Sequence, residues 1–374
     1  MNEFSPNLFY GSRPNGIPDE VLDAAWDGFT FQRDRGLTPI LTLGHLASLV
    51  RVDYSVLRGV VDRSWDPYED LSIPKKRGGR RELSRPHPLL MVAQKWILAN
   101  VLSNLNYNDA SFAYTPGRSI VHCARRHVGA RWLLKLDIKD FFDSVDEISV
   151  YKIFRSLGYE KLISLELARL CTRVTSKSPR FDEDLAKYNS IFSYRYPVKG
   201  QLPQGAPTSG ALANAAMIKV DQTLQSIVRR HRFTYTRYSD DLVFSTSSKV
   251  DRFQLVSLKR DVERELSFAG FRLRQDKTRI IPPGARKIVL GLLIDENSVR
   301  LTPEFKRRVN THLRGVEKFG LVAHVQHRKF RSIFSFVNHV EGLLEFARNV
   351  EPSFAEASFE TWRELVPSLD KPSS

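Results

Sequence analysis

Asp137 ends the run WLLKLD at residues 132–137, and Asp240 and Asp241 stand side by side within YTRYSDDLVFS at residues 235–245. Adjacent like charges cost stability in a stretch otherwise rich in β-branched and aromatic residues, so they require a solvated turn or a positive partner. A lone aspartate pair is ordinarily such a turn, and DIKDFF alone is ordinarily a strand end. Their combination is more specific. If the two stretches are neighbouring strands of one sheet, three carboxylates converge at one edge. A hard cation with oxygen ligands, Mg²⁺, would compensate that charge. Two such ions about 4 Å apart can activate an attacking hydroxyl and stabilise a departing pyrophosphate, the needs of phosphoryl transfer.

The elements that must hold these carboxylates follow from pattern. The run WLLKLDIKDFF begins as a short, mostly apolar segment, the look of a buried strand, and the segment around Asp240 predicts a hairpin with strands to Tyr238 and from Leu242. From Thr208 a small-residue helix is predicted, with Leu212, Ala216, Val220 and Leu224 on one face. IPKKRGGRREL, residues 73–83, has the profile of a basic hairpin bent at Gly78-Gly79. After RPHP, residues Leu90, Ala93, Ile97 and Val101 recur at helical spacing. Residues 173–200 are polar, with Pro179 and Pro197, and predict a loop or insertion. A strand-like run, KIVLGLLID, covers 287–295, and a boundary falls near 300, where Thr302 and Pro303 suit an N-cap and a first helical position. The helix beyond aligns Phe305, Val309, Leu313 and Val316, and a second is expected over about 330–349. The C-terminal portion is therefore helical and the middle α/β; the first 70 residues give mixed helical signals.

Composition restricts the partners. A chain of 374 residues implies two or three substructures, and 42% hydrophobic residues supply real cores. The formal charge of +15 and the pI of about 9.8 point to a polyanion, either nucleic acid or an anionic membrane surface. The membrane is disfavoured, because no apolar run is long enough to span one and MNEFSPNLFY lacks a basic secretory start. Two cysteines, Cys123 and Cys171, argue against a disulfide scaffold and a cysteine zinc site. No period of 20–50 residues marks a solenoid. A cytoplasmic nucleic-acid-binding protein is expected.

With these segments in hand, the sequence resembles a reverse transcriptase, and within that superfamily the bacterial retron-type enzymes. YSDD at 238–241 matches the Y-x-D-D signature, and LDIKDFF the first aspartate motif. LPQGAPTSGALAN at 202–214 matches the Q-G-A-P-T-S-P segment, except that Gly210 replaces the final proline. IPKKRGGRREL resembles the fingers hairpin and VLGLLID the primer-grip segment, all in family order over roughly residues 70–300. The resemblance implies an α+β right-hand polymerase, with fingers and palm over 1–298 and a helical thumb over 299–374. The palm would be an antiparallel sheet backed by helices.

Roles follow from the resemblance position by position. Asp137 and Asp240 would be the principal ligands of two Mg²⁺ ions and Asp241 a secondary one, with Tyr238 near the primer end. Phe142, five residues after Asp137, takes the steric-gate position that excludes a 2′-hydroxyl, whereas Phe141 suits the core. Gln204 would contact the incoming nucleotide, with Gly205 and Ala206 admitting close backbone approach. Thr208 and Ser209 fit either that site or plain helix caps. Arg81 and Lys75 or Lys76 would hold the triphosphate, since a guanidinium suits phosphate oxygens. Lys277 falls where the family places a lysine able to protonate pyrophosphate, and an RNA-facing charge is its other reading. Leu290 and Gly291 lie in the primer grip.

Two further motifs address the subfamily. Retron enzymes carry N-A-x-x-H and V-T-G; this chain has CARRH at 123–127 and VLG at 289–291, so Ala124, His127, Val289 and Gly291 fit while Cys123 and Leu290 depart. The resemblance gives His127 a role with RNA. It further implies a dedicated structured RNA as template, priming from an RNA 2′-hydroxyl, deoxynucleotides as substrates, a branched RNA–DNA product, and phage defence beside a separate effector. On α-helical pattern alone, Arg307, Arg308 and Arg314 lie off the apolar stripe of the helix after Pro303, as do Lys306 and Lys318, available to a nucleic-acid backbone. The alternatives are another defence or diversity-generating reverse transcriptase, and a non-catalytic RNA-binding scaffold. Retention of all three carboxylates opposes the scaffold, which would gain nothing from their repulsion.

Overall fold

The computed structural model describes residues 19–74, 78–181 and 194–366. Its first half runs through helices α1 (Asp19–Asp34), α2 (Leu43–Val50) and α3 (Tyr54–Val61), strands β1 (Tyr68–Pro74) and β2 (Arg80–Pro86), α4 (Pro88–Asn100), α5 (Ile120–Arg125), β3 (Trp132–Asp137), α6 (Glu147–Leu157) and α7 (Lys161–Cys171). There follow α8 (Ser209–Ala216), α9 (Ile218–His231), β4 (Thr234–Tyr238), β5 (Asp241–Thr246), α10 (Arg252–Phe268), β6 (Arg279–Ile281), β7 (Lys287–Val289), β8 (Leu292–Ile294) and β9 (Val299–Leu301). Four helices end the chain: α11 (Pro303–Phe319), α12 (Leu321–His327), α13 (Ile333–Val350) and α14 (Pro352–Leu365). The class is α+β. The sheets have the orders β1-β2, β4-β5-β3-β6 and β7-β8-β9, and the pairs β1–β2, β3–β6, β4–β5, β7–β8 and β8–β9 are antiparallel.

The chain forms two compact units. The first takes the described residues of Met1–Pro116, Asp137–Gln225 and Val262–Arg274. Within it α6 packs on α7 and α8, and α7 on α3 and α4. The helical spacing after RPHP holds: Leu90, Ala93, Ile97 and Val101 are all fully buried. The centre of this unit is also ionic. Glu147 accepts from Arg63 Nη2 at 2.7 Å, from Arg169 Nε at 2.9 Å and from the Gly200 backbone N–H at 3.1 Å. Burial alone would push the Glu147 carboxyl up, but the two guanidiniums outweigh it and hold it below the usual range.

The second unit takes the described residues of Gly117–Leu136, Ser226–Asp261 and Gln275–Ser374. One core joins Leu133 of β3 and Val243 of β5 to Val289, Leu292, Val309, Leu313, Phe336, Leu344 and Trp362. Thr302 caps α11 by accepting from the Phe305 N–H, and Pro303 takes its first turn. Val309, Leu313 and Val316 are buried, with Phe305 packed at the edge.

One expectation changes. The helix predicted from Thr208 is two helices, α8 and α9, meeting at Met217, and Ala216 is only half-buried. The boundary expected at 298/299 falls between β8 and β9, which pair with one another, so the helical stretch itself starts at Pro303.

A cluster of histidines lies inside the C-terminal helices. His312 Nδ1 is 3.2 Å from His324 Nε2, and the His339 ring centroid is 5.5 Å from that of His312. Burial, then the charges of Arg328, His339, His324 and Arg308, push His312 down to about 4. A depressed histidine pKa means the unfolded chain binds the extra proton first. Stability is full above the unfolded value of 6.5 and is lost as pH falls from there toward about 4, at up to about 1.4 kcal/mol per pH unit. Thermal melts should therefore show a transition that drops between pH 7 and 5. His312→Leu should flatten that acid limb; an unchanged limb would assign the acid sensitivity elsewhere.

Candidate active site

Tyr238 pairs with Asp241 across β4 and β5, leaving Ser239 and Asp240 as a two-residue turn. Ser239 is buried with φ 59°, and a positive φ at the first turn position is the pattern of a II′ hairpin, where glycine is usual. A serine held there carries backbone strain, which concentrates at functional sites. Asp240, Asp241 and Tyr238 are half-buried. Arg237, fully buried in β4, donates to the Ser239 carbonyl at 3.2 Å. This places a buried guanidinium two residues upstream of the turn, bonded to its backbone.

A polar network joins α5 and the turn after it to this hairpin. His127 is 1% exposed and both its ring nitrogens are engaged, Nδ1 with Ser245 and Nε2 with Thr236, each at 2.7 Å. Cys123 donates to the same Thr236 hydroxyl at 3.3 Å. Burial, with Arg126 adding, pushes His127 down to about 3, so it is neutral. The expected RNA contact of His127 is corrected on this point: a neutral, enclosed imidazole ties α5 to β4 and β5 and has no face for RNA. Burial pushes the Cys123 thiol up to about 11, with Thr236 opposing and Asp241 adding to the rise. Cys123, the departure from the retron asparagine, therefore keeps a polar link to the aspartate hairpin.

Asp137 ends β3, is 4% exposed and lies 3.3 Å from Arg274 Nε, while Arg274 Nη2 reaches Asp140 at 3.2 Å. The Arg274 N–H also donates to the Asp137 carbonyl at 2.8 Å, so backbone and charge fix the strand end together. Asp140 is another non-glycine residue in the left-handed region, with φ 47°. Phe141 is buried against Phe271, with centroids 5.9 Å apart, whereas Phe142 is only half-buried. The burial of Phe141 agrees with its expected place in the core.

Gln204 and Gly205 are positioned by the β1–β2 hairpin. The Ser84 N–H donates to the Gln204 carbonyl at 2.7 Å, and Arg173 holds the hairpin's base through Asp66 at 2.8 Å and the Ser84 hydroxyl at 2.9 Å. Gly205 has φ 122°, and a Cβ there would stand 3.0 Å from the Ser84 carbonyl oxygen, so a side chain is excluded twice over. Arg81 is exposed on β2. Lys75 and Lys76 lie outside the described residues.

The remaining predicted residues occupy the second unit. Lys277 is exposed in a single 3₁₀ turn. Leu290 and Gly291 form the β7–β8 turn with φ 50° and 82°, so the leucine at the V-T-G threonine position is held left-handed. Arg307, Arg308 and Arg314 are exposed on α11, Arg308 over the Phe305 ring at 5.1 Å. Lys306 is not available to a partner in the same way, because it bonds Glu351 at 2.6 Å. Pattern reasoning missed Arg237 and Arg274, whose only sequence signal is nearness to a motif.

Among the described residues, no three His, Cys, Asp or Glu side chains are grouped as a metal site. The donor chemistry of Asp137, Asp240 and Asp241, oxygen only and anionic, nevertheless fits a hard divalent cation. No described helix is long and apolar enough to cross a membrane.

Residues 73–300 match the family model described as reverse transcriptase (RNA-dependent DNA polymerase). The Retron Mx162 reverse transcriptase of Myxococcus xanthus is 34% identical over 276 residues, 70% of this chain and 55% of its own, so this chain spans little more than half that relative's length. The Retron Ec86 reverse transcriptase of Escherichia coli is 28% identical over 85% of this chain and 88% of its own. Among solved structures, telomerase from Candida albicans in complex with a fragment of telomeric RNA is similar at TM-score 0.42 and 12% identity, over 79% of this chain and 66% of that one. With its motifs in order and the family model covering them, this chain belongs to the reverse transcriptase family and, within it, to the bacterial retron type.

Proposed function

We propose that the protein is an RNA-directed DNA polymerase that copies part of a structured non-coding RNA into single-stranded DNA. The observation that carries this reading is the strand order β4-β5-β3, in which the strand ending on Asp137 runs beside the strand beginning on Asp241. Fingers and palm fill residues to 298 and the helical thumb the rest. Mg²⁺, two ions held by Asp137, Asp240 and Asp241, would supply the charge neutralisation that phosphoryl transfer needs. The chain's own groups do the positioning. Gln204 and Gly205 bring backbone to the incoming deoxynucleotide, while Arg81 with Lys75 or Lys76 binds its phosphates. Phe142 excludes the 2′-hydroxyl, Tyr238, Leu290 and Gly291 seat the primer, and Lys277 gives a proton to the pyrophosphate.

The retron relatives support a finer reading: priming from a 2′-hydroxyl of the template RNA, a branched RNA–DNA product (msDNA), and a cytoplasmic role in antiphage defence beside a separate effector. Sequencing the nucleic acid that copurifies with the protein tests it. A DNA complementary to part of one RNA and joined to it is the expected result; a DNA with no linkage to RNA would favour a reverse transcriptase using another primer.

Two variants probe the contacts. Phe142→Val should raise GTP incorporation relative to dGTP by roughly tenfold or more, because exclusion by one ring edge is worth that much. An unchanged preference would leave Phe142 a packing residue. Replacing Arg307, Arg308 and Arg314 with glutamine should weaken RNA binding and reduce the slope of log affinity against log salt by about two units. Parent affinity and slope would remove α11 from the RNA interface.

A further inference from the structure

Gly210 is the one departure from the family's Q-G-A-P-T-S-P segment, and the structure shows what occupies the space. It is buried on α8, and a Cβ built there would lie 2.5, 2.6 and 2.9 Å from Cγ, Cδ1 and Cδ2 of Tyr114. The tyrosine ring therefore rests directly on the helix backbone, in a seat that any side chain at 210 would take. The segment bearing Tyr114 is fastened to the same helix, since Asn214 Nδ2 donates to the Ala113 carbonyl at 2.6 Å. Tyr114 itself has φ 54°, a conformation uncommon for an aromatic residue and costly to hold. Such strain persists only where the surroundings over-determine it.

The ring points at one neighbour that matters. Tyr114 meets Phe142 edge to face, with centroids 6.2 Å apart and planes at 66°. Phe142 in turn contacts Phe141 at 5.6 Å, and Phe141 contacts Phe271. Phe142 thus contacts two rings, the buried Phe141 and Tyr114. Tyr114 is 54% exposed, so it does not serve mainly to fill the core.

We infer that Tyr114, seated on Gly210, positions Phe142 and so sets how strongly the enzyme rejects ribonucleotides. The inference rests on the reading of Phe142 as the steric gate. Tyr114 is a positioning residue: it limits how far the Phe142 ring can retreat when a 2′-hydroxyl presses on it. The interaction uses ring edges, so the phenol hydroxyl is dispensable.

The test is the ratio of kcat/KM for dGTP over GTP on one primed RNA template, measured with the full chain. Tyr114→Phe should keep the parent ratio. Tyr114→Ala should lower it about fivefold, the value of one aromatic edge contact. Gly210→Ala, which costs a helix nothing in propensity, should lower it as well by dislodging the ring. In the double variant with Tyr114→Ala there is no ring to dislodge, and the ratio should match Tyr114→Ala alone. A parent ratio in Tyr114→Ala, or equal losses for dGTP and GTP, while Phe142→Val does change the ratio, would overturn the role of Tyr114 and leave the gate standing. A parent ratio in Phe142→Val would overturn the gate reading and this inference with it.

Discussion

Asp240→Asn lowers nucleotide incorporation by about three orders of magnitude or more, while RNA affinity stays near the parent value. Asparagine keeps the volume and one carbonyl oxygen of aspartate but loses the charge a divalent cation needs. The substitution falls in the second position of the hairpin turn, half-buried and outside the ladder pairing, so β4 and β5 should fold unchanged. Affinity for the cognate RNA depends on basic surfaces and serves as the internal control. Incorporation at the parent rate by a folded Asp240→Asn protein would sink the assignment of this turn to the metal site.

Glu147→Gln should cost about 3–5 kcal/mol of unfolding free energy, the usual result of removing one partner from a buried ion pair. Two guanidiniums converge on Glu147, with side chains 7% and 1% exposed for Arg63 and Arg169, and neutralising it removes the counter-charge both share, leaving them only neutral acceptors such as the Thr172 and Val61 carbonyls. The carboxyl is held low, so its contribution is present above the unfolded carboxylate range and is lost as pH falls through the lower folded value. Urea melts at pH 7 measure the loss; a change below about 1 kcal/mol would mean that the arginines find other acceptors. The same carboxylate anchors the Gly200 N–H, just ahead of the Gln204 loop, so some loss of deoxynucleotide affinity should accompany the loss of stability.

What the sequence disclosed and what it withheld divide along physical lines. The aspartate hairpin and the need for glycine at 205 were legible because turn formation and close backbone approach are local demands. A glycine stands at 205 because the Ser84 carbonyl is 3.0 Å from where a Cβ would be. The basic hairpin and the α11 cap were legible because turn and cap residues act on their own neighbours. His127 was misjudged because its exposure depends on Thr236 and Ser245, which lie more than a hundred residues along the chain. Lys306 was misjudged likewise, being tied to Glu351 across 45 positions. The break at Met217 left no trace, since neither glycine nor proline marks it. Tyr114 was invisible for a different reason: its seat is made by an absent side chain at Gly210.

The most direct measurement of the central claim is labelled deoxynucleotide incorporation by the purified protein on the RNA that copurifies with it, in Mg²⁺. The account predicts a product resistant to ribonuclease, complementary in sequence to that RNA, and absent when Asp137 or Asp240 is replaced by asparagine. A folded, RNA-loaded protein that incorporates no deoxynucleotide, or a product that forms equally well with both asparagine variants, would contradict it.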